Sequence, residues 1–256
     1  MQYERWPPPA PVPPLSLLLS GCLFWPESDD PDFGDLSDLG EGTGTLGEQG
    51  RATFVLRGTY QCMPMIFHAC ELDRAVMVGA SMGVVTRLFD SRDDPDRQLS
   101  LRSSDPTVLE VVTTKPDPDE ASRYFSEIRG VAEGDVTLLV ELPDGAVIDH
   151  VPLRIREPAS LVLRIWDSMP GSILLVSGGD LTLDNGHYKL QAVPRDASGD
   201  PLYPGDAVSY EVLHGPQVLS EYPYLDVASI AGAAGDTSQM RVTAGEVEHE
   251  LVVTFK

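Results

Sequence analysis

The sequence predicts an all-β fold: two tandem β-sandwich domains behind a disordered N-terminal tether. Three observations carry that expectation. From residue 51 onward, apolar and polar residues alternate on a two-residue period in short bursts divided by Gly, Pro and Asp, the pattern of half-buried strands. The roughly 10–15-residue helical patterns that βαβ units require are missing between those bursts. One sequence block also occurs twice, about a sandwich domain's length apart.

The N-terminal element comes first. Leu19-Ser20-Gly21-Cys22 resembles the lipobox of bacterial lipoproteins: a large apolar residue, two small residues and a cysteine. The resemblance implies that residues 1–21 are a signal peptide, cleaved before Cys22, and that diacylglycerol is attached to the Cys22 sulfur. Acyl chains at ~0.8 kcal/mol per buried methylene would make membrane attachment effectively permanent. The segment departs from the pattern in two ways. Its only early base, Arg5, is offset by Glu4, and prolines at 7, 8, 9, 11, 13 and 14 leave little apolar run beyond residues 15–19. The other reading is a Pro-rich arm in which Cys22 is incidental. Leu23 stands where an inner-membrane retention signal often has Asp, which by the same resemblance favours the outer membrane.

Residues 22–50 read as the lipidated cysteine and an acidic tether. Residues 27–50 hold eight acids and no base, a composition too charged and too polar to bury a core. Two motif look-alikes fall here. "GTGTLG", residues 42–47, fits a dinucleotide fingerprint, but no strand precedes it and no helix follows. "DPDFGDLSDLGE", residues 30–41, has acids at positions 1, 3 and 12 of a calcium loop but Asp35 where glycine belongs, so a solvated spacer is expected.

The first folded domain is expected over residues 51–157. "ATFVLRG", "QLSLRS", "VLEVVTT", "DVTLLVEL" and "AVIDHVPLRI" read as its strands. Cys62 and Cys70 lie close together in "CMPMIFHAC". With Cys22 taken as the lipid site, two thiols remain, and an oxidising envelope favours pairing them as a disulfide. The alternative is two free thiols on one strand, whose even spacing would hold them ~25 Å apart if extended, too far to bond. "GASMG", residues 79–83, imitates a nucleophile elbow around Ser81. An elbow turns into a helix, whereas "VVTRLFDS" follows, so a tight turn between strands is the better reading. Residues 119–128, "DEASRYFSEI", are the one place expected to hold a helical turn.

The second domain is expected over residues 158–256, with strands in "SLVLRIW", "YKLQAVP", "VSYEVL", "QMRVTA" and "HELVVTF". "IRGVAEGDVTLLV" (128–140) echoes in "IAGAAGDTSQMRV" (230–242). Each is followed by a turn, around Gly145 or Gly245, and then a strand at His150 or His249. The offset reads as 102 before the hairpin and 99 after it. Glu157-Pro158 marks the boundary.

These residues carry a second resemblance. "SSDPTVLEV" with "IRGVAEGDVTLLVEL", and "AVPRDASGDPLYPGDAVSYEV" in the second copy, resemble the bacterial Ig-like group 2 pattern, over residues 97–156 and, more loosely, 180–256. The resemblance implies two Ig-like sandwiches in an extracytoplasmic, modular scaffold, and it names no catalytic residue.

The function classes narrow accordingly. With 40 acids against 18 bases the net charge is −22, which would repel phosphate backbones, so no nucleic-acid partner is expected. His68, His150, His187, His214 and His249 are scattered without metal-ligand spacing, so neither a metal nor a cofactor is expected. The best reading is a non-catalytic, lipid-anchored cell-envelope scaffold or adhesion protein. Its partners are the membrane, through Cys22, and a protein or polysaccharide ligand of the envelope. The irregular loops 90–97 and 196–206 are the binding candidates, the second with Tyr203 as an aromatic contact. The rivals are a serine hydrolase using Ser81 and a structural subunit of an envelope assembly.

Overall fold

The computed structural model describes residues 44–57, 72–89, 98–118, 120, 122–167, 173–176, 180–215, 220–221 and 227–256. Cys22, Cys62, Cys70, the loop at 90–97 and the calcium look-alike lie outside the described residues.

Among the described residues the secondary structure is strand and turn without helix. The first half holds β1 (Thr45–Leu46), β2 (Ala52–Arg57), β3 (Val76–Met77), β4 (Ser81–Leu88), β5 (Ser100–Ser103), β6 (Leu109–Pro116), β7 (Arg123–Gly130), β8 (Gly134–Glu141) and β9 (Val147–Arg156). The second holds β10 (Ser160–Asp167), β11 (Ile173–Val176), β12 (Leu181–Leu183), β13 (Gly186–Arg195), β14 (Val208–His214), β15 (Ser220–Glu221), β16 (Val227–Gly232), β17 (Thr237–Ala244) and β18 (Val247–Phe255). Each half is a β-sandwich of two sheets. The first pairs β1-β2-β4-β7-β6 with β3-β9-β8-β5, and the second pairs β11-β10-β13-β16-β15 with β12-β18-β17-β14.

The two halves follow one plan. In both, the strand whose end opens the repeated block joins the five-stranded sheet, and the hairpin that begins within the block joins the four-stranded one. In both, a short early strand pairs in parallel with the last strand, β3 with β9 and β12 with β18. They differ at one edge, where β1 precedes its partner in sequence and β11 follows it. Alternation supplies the cores. Phe54, Leu56, Ile128, Leu138, Leu153 and Ile155 point inward in the first half, and Leu163, Ile165, Leu190, Met240, Val253 and Phe255 in the second.

Three expectations are corrected in detail. No helical turn forms where residues 122–128 are described: Arg123–Gly130 is β7, between β4 and β6. Tyr124, Ser126 and Ile128 are buried on alternate positions, and cross-strand pairing outweighs the helix preference of the Glu and Ala around them. Residues 44–50, read as the end of the tether, carry β1 and a turn against β2. The hairpin register also differs from the expected offset of 99. Leu138 faces Val151 as Met240 faces Leu251, which gives offsets of 102 and 100, so His150 corresponds to Glu250. The first hairpin also carries a β-bulge that the second lacks: Val140 faces Asp149 but Glu141 faces Val147, leaving Ile148 as the extra residue.

Candidate functional site

The loop at 196–206 starts as a local Asx structure. Asp196 Oδ1 accepts the amides of Ser198 and Asp200, both at 2.9 Å, and Arg195 Nη1 donates to the Gly199 carbonyl at 2.6 Å. The chain then turns inward rather than out to solvent. Leu202 N–H donates to the Pro194 carbonyl at 2.9 Å, and Leu202 and Tyr203 are buried.

Tyr203 lies alongside the first sandwich as a one-residue parallel bridge to Val76. Its N–H donates to Ala75 O at 2.8 Å, and Met77 N–H donates to Tyr203 O at 2.9 Å. Its phenol donates to Asp73 Oδ1 at 2.9 Å, and the Arg74 guanidinium sits 5.6 Å from the ring centroid. Three residues on, Asp206 Oδ1 accepts the Ser81 amide at 2.6 Å. Gly205 makes the approach: its φ is +50°, and a Cβ there would stand 2.3 Å from the Ser81 carbonyl oxygen. The core continues across this seam, through Ala75, Val76, Met77 and Ala80 on one side and Leu202 and Tyr203 on the other.

Tyr203 is therefore not the exposed aromatic contact expected of a ligand loop. Its ring and both backbone polar groups join the two sandwiches. The loop's glycine, aspartate and tyrosine form a signature that reads equally as a binding loop and as a clasp, and only the partner strand at 75–77 tells them apart.

Ser81 sits in the same seam. Gly79, at φ +83°, turns the chain with Ala80 N–H bonded to Met77 O at 3.1 Å, and β4 starts at Ser81 itself. A nucleophile elbow needs a helix at this point to present the hydroxyl over a sheet; the strand instead runs on to Leu88.

A buried carboxylate anchors the opposite end of β9. Asp149, fully buried, accepts the amides of Gln49 and His150 on Oδ1, each at 2.8 Å, and those of Arg51 and Ala52 on Oδ2, each at 2.7 Å. A Cβ on Gly47 would lie 2.4 Å from that carboxylate. The "GTGTLG" glycine thus admits a protein carboxylate, not a pyrophosphate. Among the described residues no group of three His, Cys, Asp or Glu side chains could hold a metal.

No protein-family model matches the sequence, and no curated protein matches it. Similar solved structures include domains 5–6 of the S-layer protein SbsC, at 15% identity over 72% of this chain and 93% of that one, with a TM-score of 0.31. The adhesin InvE of Yersinia pseudotuberculosis is 12% identical over 84% of this chain and 62% of its own, at 0.31. The endo-fucoidan hydrolase MfFcnA4, of glycoside hydrolase family 107, is 14% identical over 71% of this chain and 27% of its own, at 0.32. These scores are too low for the likeness to say anything of binding or catalysis.

Sequence reasoning also passed over Arg164, on β10. Burial and then the charges of Arg74 and Arg195 push its pKa below the ordinary guanidinium range. Three arginines spread over more than a hundred positions leave no mark in a linear scan for basic clusters.

Proposed function

We propose that the chain is a lipid-anchored, non-catalytic protein of the cell envelope, in which two Ig-like modules act as a jointed but stiffened scaffold or adhesion unit. Its parts are a signal peptide over 1–21, a lipidated Cys22 opening an acidic tether, and two modules meeting at Glu157-Pro158. The observation that carries the reading is the seam. One of the two loops expected to bind a ligand is used to fix one sandwich on the other, as a spacer that presents distant loops at a set angle requires. The Leu19–Cys22 lipobox resemblance and the acidic segment behind it support the anchor, and Leu23 supports the outer membrane. The strand that begins at Ser81 speaks against the hydrolase rival. A protein or polysaccharide of the envelope is the fitting ligand class, and a subunit role within an envelope assembly is the second reading.

Metabolic labelling with a fatty-acid analogue tests the anchor: the native chain takes the label and Cys22→Ser does not, and equal labelling of both ends the claim. Intact mass before and after reduction tests the Cys62–Cys70 disulfide, which predicts a gain of two hydrogen atoms on reduction. Ester, peptide and glycoside substrates should show no turnover. A rate abolished by Ser81→Ala would replace the scaffold with a hydrolase.

A further inference from the structure

One sheet edge is filled in the first half and open in the second. Val76 of β3 faces Ile155 and Leu183 of β12 faces Phe255, and Ile155 and Phe255 correspond at the offset of 100. The next bonds agree: Val78 N–H donates to the Arg156 carbonyl at 3.0 Å, and Asn185 N–H to the Lys256 carbonyl at 3.1 Å. Asp73 therefore corresponds to Asp180, Arg74 to Leu181, Ala75 to Thr182 and Met77 to Asp184. On the far side of β3, the Ala75 carbonyl and Met77 N–H hold the Tyr203 backbone, and Asp73 accepts the phenol. On the far side of β12, which is the edge of its sheet, nothing pairs with the Thr182 carbonyl or Asp184 N–H among the described residues. Asp180, Thr182 and Asp184 are exposed. Such an edge is a template for strand addition.

The filled edge also indicates what the open one accepts. Residues 90–97 lie between β4 and β5 as residues 196–206 lie between β13 and β14, and Asp90-x3-Asp94-Pro95 repeats Asp196-x3-Asp200-Pro201. Two residues past the proline, Arg97 stands where Tyr203 stands. Three exchanges then fit one another. The phenol donor becomes a guanidinium, its acceptor Asp73 stays a carboxylate as Asp180, and Arg74, which would repel a second arginine, becomes Leu181. Met77 becomes Asp184, with Lys256 Nζ 3.7 Å from its carboxylate to meet the Asp96 that replaces Leu202.

We propose that the open β12 edge of one molecule binds the 90–97 loop of a second copy of this chain, head to tail, with the second copy's Arg97 paired to Asp180. The first loop is shorter: Asp94 to Ser100 is six residues, and Asp200 to its counterpart Ser209 is nine. It lacks the Pro204-Gly205-Asp206 step that reaches Ser81, so the contact is a weaker, reversible form of the seam. A head-to-tail contact uses two different surfaces and extends into open rows instead of closing as a dimer. The inference goes beyond the scaffold reading and holds whether or not Cys22 carries lipid.

Sedimentation velocity of the full chain from micromolar to millimolar concentration tests it. The native chain should associate progressively beyond a dimer. Arg97→Asp and Asp180→Arg should each weaken association about tenfold or more, because like charges then face each other. Arg97→Gln and Asp180→Asn, which keep size and remove charge, should weaken it less. An equimolar mixture of Arg97→Asp and Asp180→Arg should associate like the native chain, since every contact in it again joins opposite charges, and that recovery also shows both variants to be folded. A native chain that stays monomeric throughout, association unchanged by all four substitutions, or a mixture that fails to recover while both variants melt at the native temperature would each overturn the proposal.

Discussion

The Tyr203 hydroxyl donates to Asp73 Oδ1 at 2.9 Å across a sequence separation of 130 residues. The bond completes a contact in which the Tyr203 backbone is already paired on both sides of Val76. A clasp of this kind ties the unfolding of one sandwich to that of the other, since the exposed surface of each depends on its neighbour.

Tyr203→Phe keeps the ring and loses the hydroxyl, so it should cost about 1 kcal/mol. Tyr203→Ala also empties a buried aromatic site and should cost about 3–5 kcal/mol. Differential scanning calorimetry should show the alanine chain unfolding in two resolved steps where the native chain unfolds in one. A single unchanged transition in Tyr203→Ala would mean that the seam does not couple the sandwiches.

Asp149 makes a sharper case. The bulge at Ile148 sets Ile148 and Asp149 side by side in the interior, against the strand's alternation, and the carboxylate is then met by four amides. Asp149→Ala leaves those amides without their acceptor and should cost about 3 kcal/mol or more. Asp149→Asn offers one oxygen and turns an N–H toward a donor, so it should also be clearly destabilising. Urea titration measures both, and hydrogen exchange should show amides 49–52 losing protection first.

The alternation that marks strands in the sequence is a local property, and it located β2, β4, β5, β6, β8, β9, β10, β13, β14, β17 and β18 well. What it does not encode is which strand meets which. β7 was obscured because its neighbouring residues favour a helix in isolation, and only pairing with β4 and β6 on both sides decides for strand. The short β3 and β12 owe their state to a parallel partner more than 70 residues later. The seam is non-local in the same way. Asp73, Arg74 and Tyr203 meet only after both sandwiches have formed.

Glu120 gives the pH dependence a sign. Its carboxyl is held below the ordinary carboxylate value of 4.5, first by the Arg87 hydrogen bond at 2.7 Å, against an opposing burial cost, and then by Ser122 and the charges of Arg87 and Arg123. A depressed folded-state pKa contributes stability above the unfolded value, and that stability is lost as pH falls through the folded one. The side chain is 27% exposed, so the contribution should stay under about 1 kcal/mol. Glu120→Gln should therefore be slightly less stable than the native chain at pH 7, and the difference should vanish as pH falls through the lowered carboxyl value. Denaturation midpoints across that range check the sign, and a variant more stable at pH 7 would reverse it.

Gly130 and Gly232 occupy matching places in the two halves, each closing an Ile-x-Gly at the end of its strand, yet their surroundings differ. A Cβ on Gly130 would stand 2.7 Å from the Met77 carbonyl oxygen, which is backbone and held within the seam segment. A Cβ on Gly232 would stand 2.4 Å from the ring of Phe255, a side chain that is buried but has a rotamer to give. Overpacking of this kind costs about 1–3 kcal/mol, depending on what can move. Gly130→Ala should fall at the upper end, because Met77 cannot shift without straining its bond to Tyr203. Gly232→Ala should fall lower, with the tilted Tyr188–Phe255 ring pair, now 6.2 Å apart, rearranging. Chemical denaturation of the two variants compares them directly, and a larger loss at Gly232 would show that the Phe255 ring is held more rigidly than the seam.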